Sequence, residues 1–166
     1  MVFALFFSTF LYYRAQSVAQ FREAATHLNQ SIGVLNTLLM LSSSWFVATA
    51  VKAARRDMRT AATSLLGGAL FCGAGFVAAK FCEYRAEILA GFTLNTNDFF
   101  VYYYMFTGIH LLHVLIGMGL LGFMARYVAI GQFDMIKMRN LESGASFWHL
   151  VDLLWIVLFP LLYLVR

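Results

Sequence analysis

Residues 95–127 read NTNDFFVYYYMFTGIHLLHVLIGMGLLGFMARY and form the longest apolar segment around which the chain is organised. Apart from one threonine and two histidines, its apolar part runs from Phe99 to Ala125. A helix of about 27 residues is roughly 40 Å long, whereas a bilayer core of about 30 Å needs around 20 residues. The stretch therefore predicts a membrane-spanning helix over about 98–126.

The composition agrees with a membrane location. The chain has 166 residues, of which 61% are hydrophobic and 12% charged, whereas a typical soluble domain has about 25% charged residues. We therefore predict an integral membrane protein with a single domain over 1–166. The net charge of +4 does not indicate nucleic-acid binding, because the basic residues flank apolar segments, where they set topology and meet lipid head groups.

Further apolar segments predict the remaining helices. They lie at about 2–14, 32–52, 60–89 and 147–165. Together with 98–126 they predict an all-α membrane bundle of five transmembrane helices. The connections between them, including a wet loop over 131–144, are expected to lie at the membrane surfaces. The distribution of lysine and arginine among these loops favours an N-terminus inside and a C-terminus outside.

Several polar or amphipathic side chains fall within the predicted spans, where polar groups are costly and usually face the bundle interior. The candidates for lipid or subunit contact are Glu83, His110, His113, Trp148, His149, Asp152 and Trp155. Lys80 lies three residues before Glu83, so we expect an ion pair near the membrane interface. The alternative is that Glu83 contacts lipid or a partner subunit. His149 and Asp152 have the same spacing and are expected to pair.

The histidines do not form a recognisable redox or metal centre. His110 and His113 differ by about 300° of rotation and about 4.5 Å of rise, so they cannot bind one haem iron from opposite sides. Haem ligation by His113 and His149, on two different helices, stays open as an alternative. A copper or zinc site needs three or four clustered ligands, and the sequence offers no such group. We predict no catalytic, cofactor-binding or metal-binding residues in this chain.

Two motifs carry a family resemblance. Residues 107–117, TGIHLLHVLIG, are similar to the TGxHxxHVxxG helix of subunit III of the haem–copper respiratory oxidases, the cytochrome c oxidase subunit 3 type. Residues 148–155, WHLVDLLW, resemble the WHFVDxxW motif of the same family, and the Glu83–Tyr84 pair also fits it. The resemblance implies that the five spans match the last five helices of subunit III.

The resemblance also implies a role. The chain would be a non-catalytic accessory subunit that supports assembly, stability and turnover in aerobic or nitric-oxide-reducing electron transport. It would bind no cofactor itself, and would contact phospholipid and a catalytic subunit that holds haem with copper or non-haem iron. The expected location is the bacterial inner membrane. Any enzymatic activity would belong to the whole oxidoreductase complex.

The branch of the family and the function class have alternatives. The short chain and the TLNTNDFF run over 93–100 look like the nitric oxide reductase accessory (NorE-like) branch, so oxygen and nitric oxide both stay open as acceptors. A small membrane transporter or channel is the alternative function, with the serines at 42–44 and the histidines lining a path. The absence of inverted repeats and broken helices in the sequence pattern counts against it. A dihaem electron carrier is the third hypothesis.

Overall fold

The described part of the protein is helical throughout. The computed structural model describes residues 30–91, 98–130 and 135–164. Its helices are α1 (Gln30–Arg55), α2 (Arg59–Leu89), α3 (Asp98–Ile130) and α4 (Met135–Phe159), and α4 continues into a π-helical turn at Pro160–Leu164. The predicted span over 2–14 lies outside the described residues. The structure therefore contains four of the five predicted spans, and the count of five stays a prediction.

All four helices are long and apolar enough to cross a membrane. Helix α2 keeps its helical form although glycine occurs at 67, 68, 73 and 75, each of which costs about 1 kcal/mol relative to alanine in a helix in water. In a bilayer, however, every backbone N–H and C=O group must find its partner within the protein, and an α-helix provides this. The apolar composition therefore maintains a helix that its glycines would weaken in water.

The helices form a closed ring. Helix α1 packs most extensively against α2, α2 packs against α3, α3 against α4, and α4 returns to α1. The α1–α2 connection is short because Met58 N and Arg56 N both donate to the carbonyl of Ala53. Asp57 turns the chain with φ 56°, a left-handed conformation that aspartate tolerates better than most residues. The buried core residues come from all four of these helices.

The prediction of a loop over 131–144 is wrong from Met135 onward, because α4 begins at that residue. Leu141 and Ala145 lie four residues apart, on one face, and both are buried. Gly144 lies within the helix and does not interrupt it. A Cβ atom added at this position would lie 2.5 Å from the sulfur of Met124 on α3. The glycine thus allows α3 and α4 to approach closely.

Trp148 is the central packing residue of α4. It is fully buried, and its indole ring lies against two glycines on different helices. A Cβ atom added at Gly117 of α3 would lie 2.7 Å from the ring, and one added at Gly73 of α2 would lie 3.3 Å from it. The absence of side chains at these positions makes room for the indole ring between α2, α3 and α4.

The described part of α4 changes its hydrogen-bonding pattern at Pro160. Proline has no backbone N–H to donate to the preceding turn, and its ring crowds the carbonyl four residues earlier. The helix responds with a single π-helical turn over Pro160–Leu164, a common form of local adjustment. This turn carries Tyr163 into the bundle core, where the side chain is buried.

Candidate functional site

A buried ion pair lies where α2, α3 and the π-helical turn meet. Lys80 Nζ donates to Glu83 Oε2 at 2.8 Å, and the two side chains are only 1% and 3% exposed. The same nitrogen donates to the hydroxyls of Tyr163 at 2.7 Å and Tyr103 at 3.3 Å. An ammonium group has three protons, so these three partners use its whole donor capacity. We call Lys80, Glu83, Tyr103 and Tyr163 the lysine cluster.

Aromatic rings enclose the ammonium of the lysine cluster. Lys80 Nζ lies 5.0 Å from the ring centre of Trp155 and 5.2 Å from those of Tyr103 and Tyr163. Cations within about 6 Å of an aromatic ring are attracted by its quadrupole, most strongly where water is excluded. The rings therefore help to offset the cost of burying the charge.

The carboxylate of Glu83 is also fully engaged. Its Oε2 accepts from Lys80, and its Oε1 accepts from the Tyr163 hydroxyl at 2.5 Å. The predicted Lys80–Glu83 pair is thus confirmed, but it lies in the bundle interior rather than at the surface. A buried ion pair is tolerated only when its remaining hydrogen-bonding groups are satisfied. The tyrosines supply these partners.

A second chain of hydrogen bonds links α2 to α3 beside the lysine cluster. The Tyr84 hydroxyl donates to Thr107 Oγ1 at 2.6 Å, and Thr107 Oγ1 donates to the carbonyl of Tyr103 at 2.6 Å. The rings of Tyr84 and Tyr103 meet edge to face with centres 6.2 Å apart. The threonine of the TGIHLLHVLIG motif therefore fastens α2 to α3.

His110, the first histidine of that motif, is completely buried among aromatic rings. Its ring stacks on Trp155 with centres 5.3 Å apart and meets Phe76 edge to face at 5.6 Å. Neither ring nitrogen has a hydrogen-bond partner in the described part of the chain. The structure thus places His110 beside Trp155, another of the predicted contact residues, in the core of the described bundle.

His113 has a different environment. Its Nδ1 lies 2.7 Å from the carbonyl oxygen of Ile109 one turn earlier, which fits an N–H at Nδ1 donating to that carbonyl. The side chain is only partly buried. The two motif histidines therefore occupy different surroundings, as their rotation around the helix predicts.

The predicted pair of His149 with Asp152 is not a direct one. His149 Nδ1 lies 2.6 Å from the hydroxyl of Ser44 on α1. The hydroxyl of Ser44 also lies within reach of the Asp152 carboxyl group, whereas no ion pair joins His149 to Asp152 in the described residues. The direct pairing was wrong because α1 packs against α4 and inserts a serine at this point. The three residues together connect these two helices.

The tryptophans of the second motif are both buried but differ in their polar contacts. Trp155 Nε1 donates to Thr37 Oγ1 on α1 at 3.0 Å. Trp148 Nε1 has no partner in the described part of the chain, and its role is to fill the space beside Gly73 and Gly117. Both residues thus join α4 to other helices of the ring.

The described residues include no group of three or more His, Cys, Asp or Glu side chains that could hold a metal ion. Of the predicted contact residues, the structure brings Glu83, His110 and Trp155 close to the lysine cluster. His149 and Asp152 lie at the α1–α4 junction, and Trp148 lies between α2, α3 and α4. The predicted set is therefore distributed over several junctions and does not form a single site.

The sequence interpretation missed several residues of the site. Tyr103 and Tyr163 are essential to the lysine cluster, and Ser44 is the partner of His149. A lysine within an apolar helix signals that acceptors must be nearby, but the chain offers 8 tyrosines, and spacing along the helices does not identify which of them lie close to it.

Comparisons with a family model and with individual proteins agree on one family. The family model for cytochrome c oxidase subunit III matches residues 2–165. Cytochrome c oxidase subunit 3 of Thermostichus vulcanus is 30% identical over 165 residues, which cover 99% of this chain and 80% of that protein. A probable cytochrome c oxidase subunit 3 of Mycobacterium tuberculosis is 30% identical over 171 residues, covering 100% of this chain and 82% of that protein.

A third relative has a different organisation. The heme-copper oxidase subunit I+III of Aeropyrum pernix is 26% identical over 174 residues. The match covers 98% of this chain but only 21% of that protein. The similarity therefore concerns one part of a much longer polypeptide.

Proposed function

This chain belongs to the cytochrome c oxidase subunit III family, and from this membership we propose that it is a non-catalytic accessory subunit of a haem–copper oxidase. The observation that carries the proposal is the family match over 2–165, nearly the whole chain. The catalytic metals would lie in a partner subunit. This chain would support the assembly, stability and sustained turnover of the complex.

A catalytic subunit I is the proposed partner. The Aeropyrum pernix relative carries subunits I and III in one polypeptide, and such a fusion supports association of the two parts when they are separate chains. The buried polar groups support an architectural role as well, because they hold the helices together: Lys80 and Glu83 join α2 to α3 and the π-helical turn, and Ser44 with His149 joins α1 to α4. Apolar side chains such as Phe71, Phe81 and Phe123 face outward, where lipid or a partner would cover them.

We propose oxygen rather than nitric oxide as the terminal acceptor of the complex. The relatives described above are named as cytochrome c oxidases or a haem–copper oxidase. The nitric oxide reductase interpretation depends on chain length and on residues 93–100, most of which lie outside the described part. The proposed location is a bacterial inner membrane with the N-terminus inside.

Phospholipid is the second proposed partner. A cleft of about 430 Å³ lies where α2 begins and α3 ends, and its lining residues are Arg59, Thr60, Thr63, Ser64 and Ala129. A guanidinium and several hydroxyl groups suit a phosphate-containing head group. The cleft is at the end of the bundle near the basic α1–α2 connection, which the charge distribution predicts to be inside.

The first test is purification of the tagged full chain in mild detergent, with an optical spectrum of what is recovered. We expect a larger haem-bearing subunit to co-purify and to show copper rather than non-haem iron. The untagged strain, taken through the same steps, controls for non-specific recovery. A chain recovered alone and colourless, with ion or solute flux in liposomes, would instead support the transporter alternative.

A substitution distinguishes an accessory from a catalytic role. Asp152→Ala removes a buried carboxyl group at the α1–α4 junction. We expect weaker assembly or a faster decline of activity during sustained turnover, with initial turnover retained because the metals are elsewhere. If initial turnover disappeared while the complex stayed intact, the accessory proposal would fail.

A further inference from the structure

Glu87 is a buried carboxyl group that the lysine cluster does not neutralise. It lies one helical turn beyond Glu83 on α2 and is 8% exposed. Neither of its carboxyl oxygens meets the geometry of a hydrogen bond within the described residues, although the hydroxyl groups of Tyr103 and Tyr104 lie close enough to interact with it. An ionised carboxylate in such a position has lost its hydration and forms no direct ion pair in the described residues, which is costly in a low-dielectric interior.

The number of positive charges near Glu87 also indicates that this carboxyl group lacks a counter-charge. Lys80 is the one ammonium group among the buried residues described here, and Glu83, Tyr103 and Tyr163 take its three protons. Two carboxyl groups, Glu83 and Glu87, therefore share a single positive charge. Glu83 has the direct contact with it, so Glu87 is the carboxyl group left without a counter-charge.

Among the described residues, the other groups facing Glu87 offer no second positive charge. They are Lys80, Glu83 and Tyr84 on α2, Tyr103 and Tyr104 on α3, and Tyr163 on the π-helical turn. Glu83 repels an anion at this position, and the tyrosines are neutral. The Tyr84 hydroxyl donates to Thr107, so its proton points away from Glu87. A metal ion has no support either, because no cluster of three carboxyl, histidine or cysteine ligands occurs in the described residues.

We propose that Glu87 is a proton-binding site, and that it holds its proton at neutral pH as a carboxylic acid. The proton supplies the positive charge that the two carboxyl groups lack and makes the buried cluster electrically neutral. In the protonation step an O–H bond forms on Glu87 and one O–H bond of a hydronium ion breaks, which leaves a water molecule. Glu87 would hold this proton whichever partner subunit the chain has.

Infrared spectroscopy of the full chain in lipid bilayers at neutral pH tests the proposal. A protonated carboxyl group has a C=O stretch well separated from the carboxylate bands. We expect wild-type protein to show this band and Glu87→Gln to lose it. Glutamine has the shape of the neutral acid, so the variant should fold and retain the elution volume of the wild type.

Asp152→Asn is the matched control, because Asp152 is also a buried carboxyl group. The band assigned to Glu87 should remain in this variant and should shift when glutamate is labelled with carbon-13. If Glu87→Gln fails to fold, Glu87→Asp in labelled protein replaces it, and the label-sensitive band should disappear. A wild-type spectrum in which no acid band depends on Glu87 would overturn the proposal.

Discussion

The two ends of the bundle each contain an ion pair of similar length: one lies within α2, between residues three positions apart, and the other joins α1 to α4. Lys80 and Glu83 are 2.8 Å apart with side chains 1% and 3% exposed. Arg55 and Glu142 are 2.7 Å apart with side chains 61% and 39% exposed. The first pair is surrounded by aromatic rings and hydroxyl groups, whereas the second lies in contact with solvent.

The distance between the charged atoms therefore does not measure how much an ion pair contributes to stability. Exposed pairs contribute about 0–1 kcal/mol, because water already solvates both charges. Breaking a buried pair costs about 3–5 kcal/mol, because the remaining charge stays buried without its partner. The lysine cluster should therefore govern the stability of this bundle, and the Arg55–Glu142 pair should matter little.

The largest expected effect is that of Glu83→Ala. It leaves the Lys80 ammonium buried without its carboxylate, and we expect the free energy of unfolding to fall by about 3–5 kcal/mol. Denaturation of the purified chain in detergent micelles measures this. Replacing both members together, as Lys80→Met with Glu83→Leu, should recover most of the loss. A single-variant loss below about 1 kcal/mol would remove the distinction between the two pairs.

A close helix contact gives the second effect. Gly117→Ala places a methyl group 2.7 Å from the buried indole of Trp148, and overpacking of this kind costs about 1–3 kcal/mol. Gly119→Ala is the matched control, because nothing lies within 4 Å of a Cβ atom there. We expect only the first variant to lower the unfolding midpoint. Equal midpoints would mean that the indole ring has room to move.

These contacts indicate which features a single sequence can predict. The helix predicted over 98–126 and the pairing of Lys80 with Glu83 depend on patterns within one segment, and the structure contains both a helix at Asp98–Ile130 and this ion pair. The sequence pattern predicts too late a start for α4, because Gly144 and the charged residues around it are typical of a loop. That glycine is in fact a packing position against Met124.

The sequence alone does not predict the hydrogen-bond partners of the buried polar groups, and the reason is physical. Tyr163 lies 83 positions from Lys80, and Ser44 lies 105 positions from His149. Helical periodicity determines which residues share a face, but it does not determine the relative depth of two helices in the bundle. That depth depends on packing at positions such as Gly73 and Gly117, where a missing side chain sets the distance of approach.

The hydrogen bond between α1 and α4 gives a smaller effect. Ser44→Ala removes the hydroxyl group that contacts His149 Nδ1 at 2.6 Å. A typical hydrogen bond contributes about 1 kcal/mol net, and bonds between membrane helices average about 0.6 kcal/mol. We expect a loss in this range by the same detergent denaturation. Ser42→Ala, at an exposed position of α1, should leave stability unchanged, and a comparable loss there would argue for a general effect of serine on the helix.

The smallest effect should come from the exposed pair. Arg55→Ala or Glu142→Ala removes a contact in which both Nε and Nη2 of the arginine donate to one carboxylate oxygen, at 3.0 and 2.7 Å. Because water replaces these bonds, we expect a loss of no more than about 1 kcal/mol. Salt screens exposed charges, so the difference from wild type should shrink further at high ionic strength. The Glu83→Ala loss should persist under the same conditions, because its charges are buried. Equal salt sensitivity of the two variants would show that water reaches the lysine cluster and that burial does not separate the two pairs.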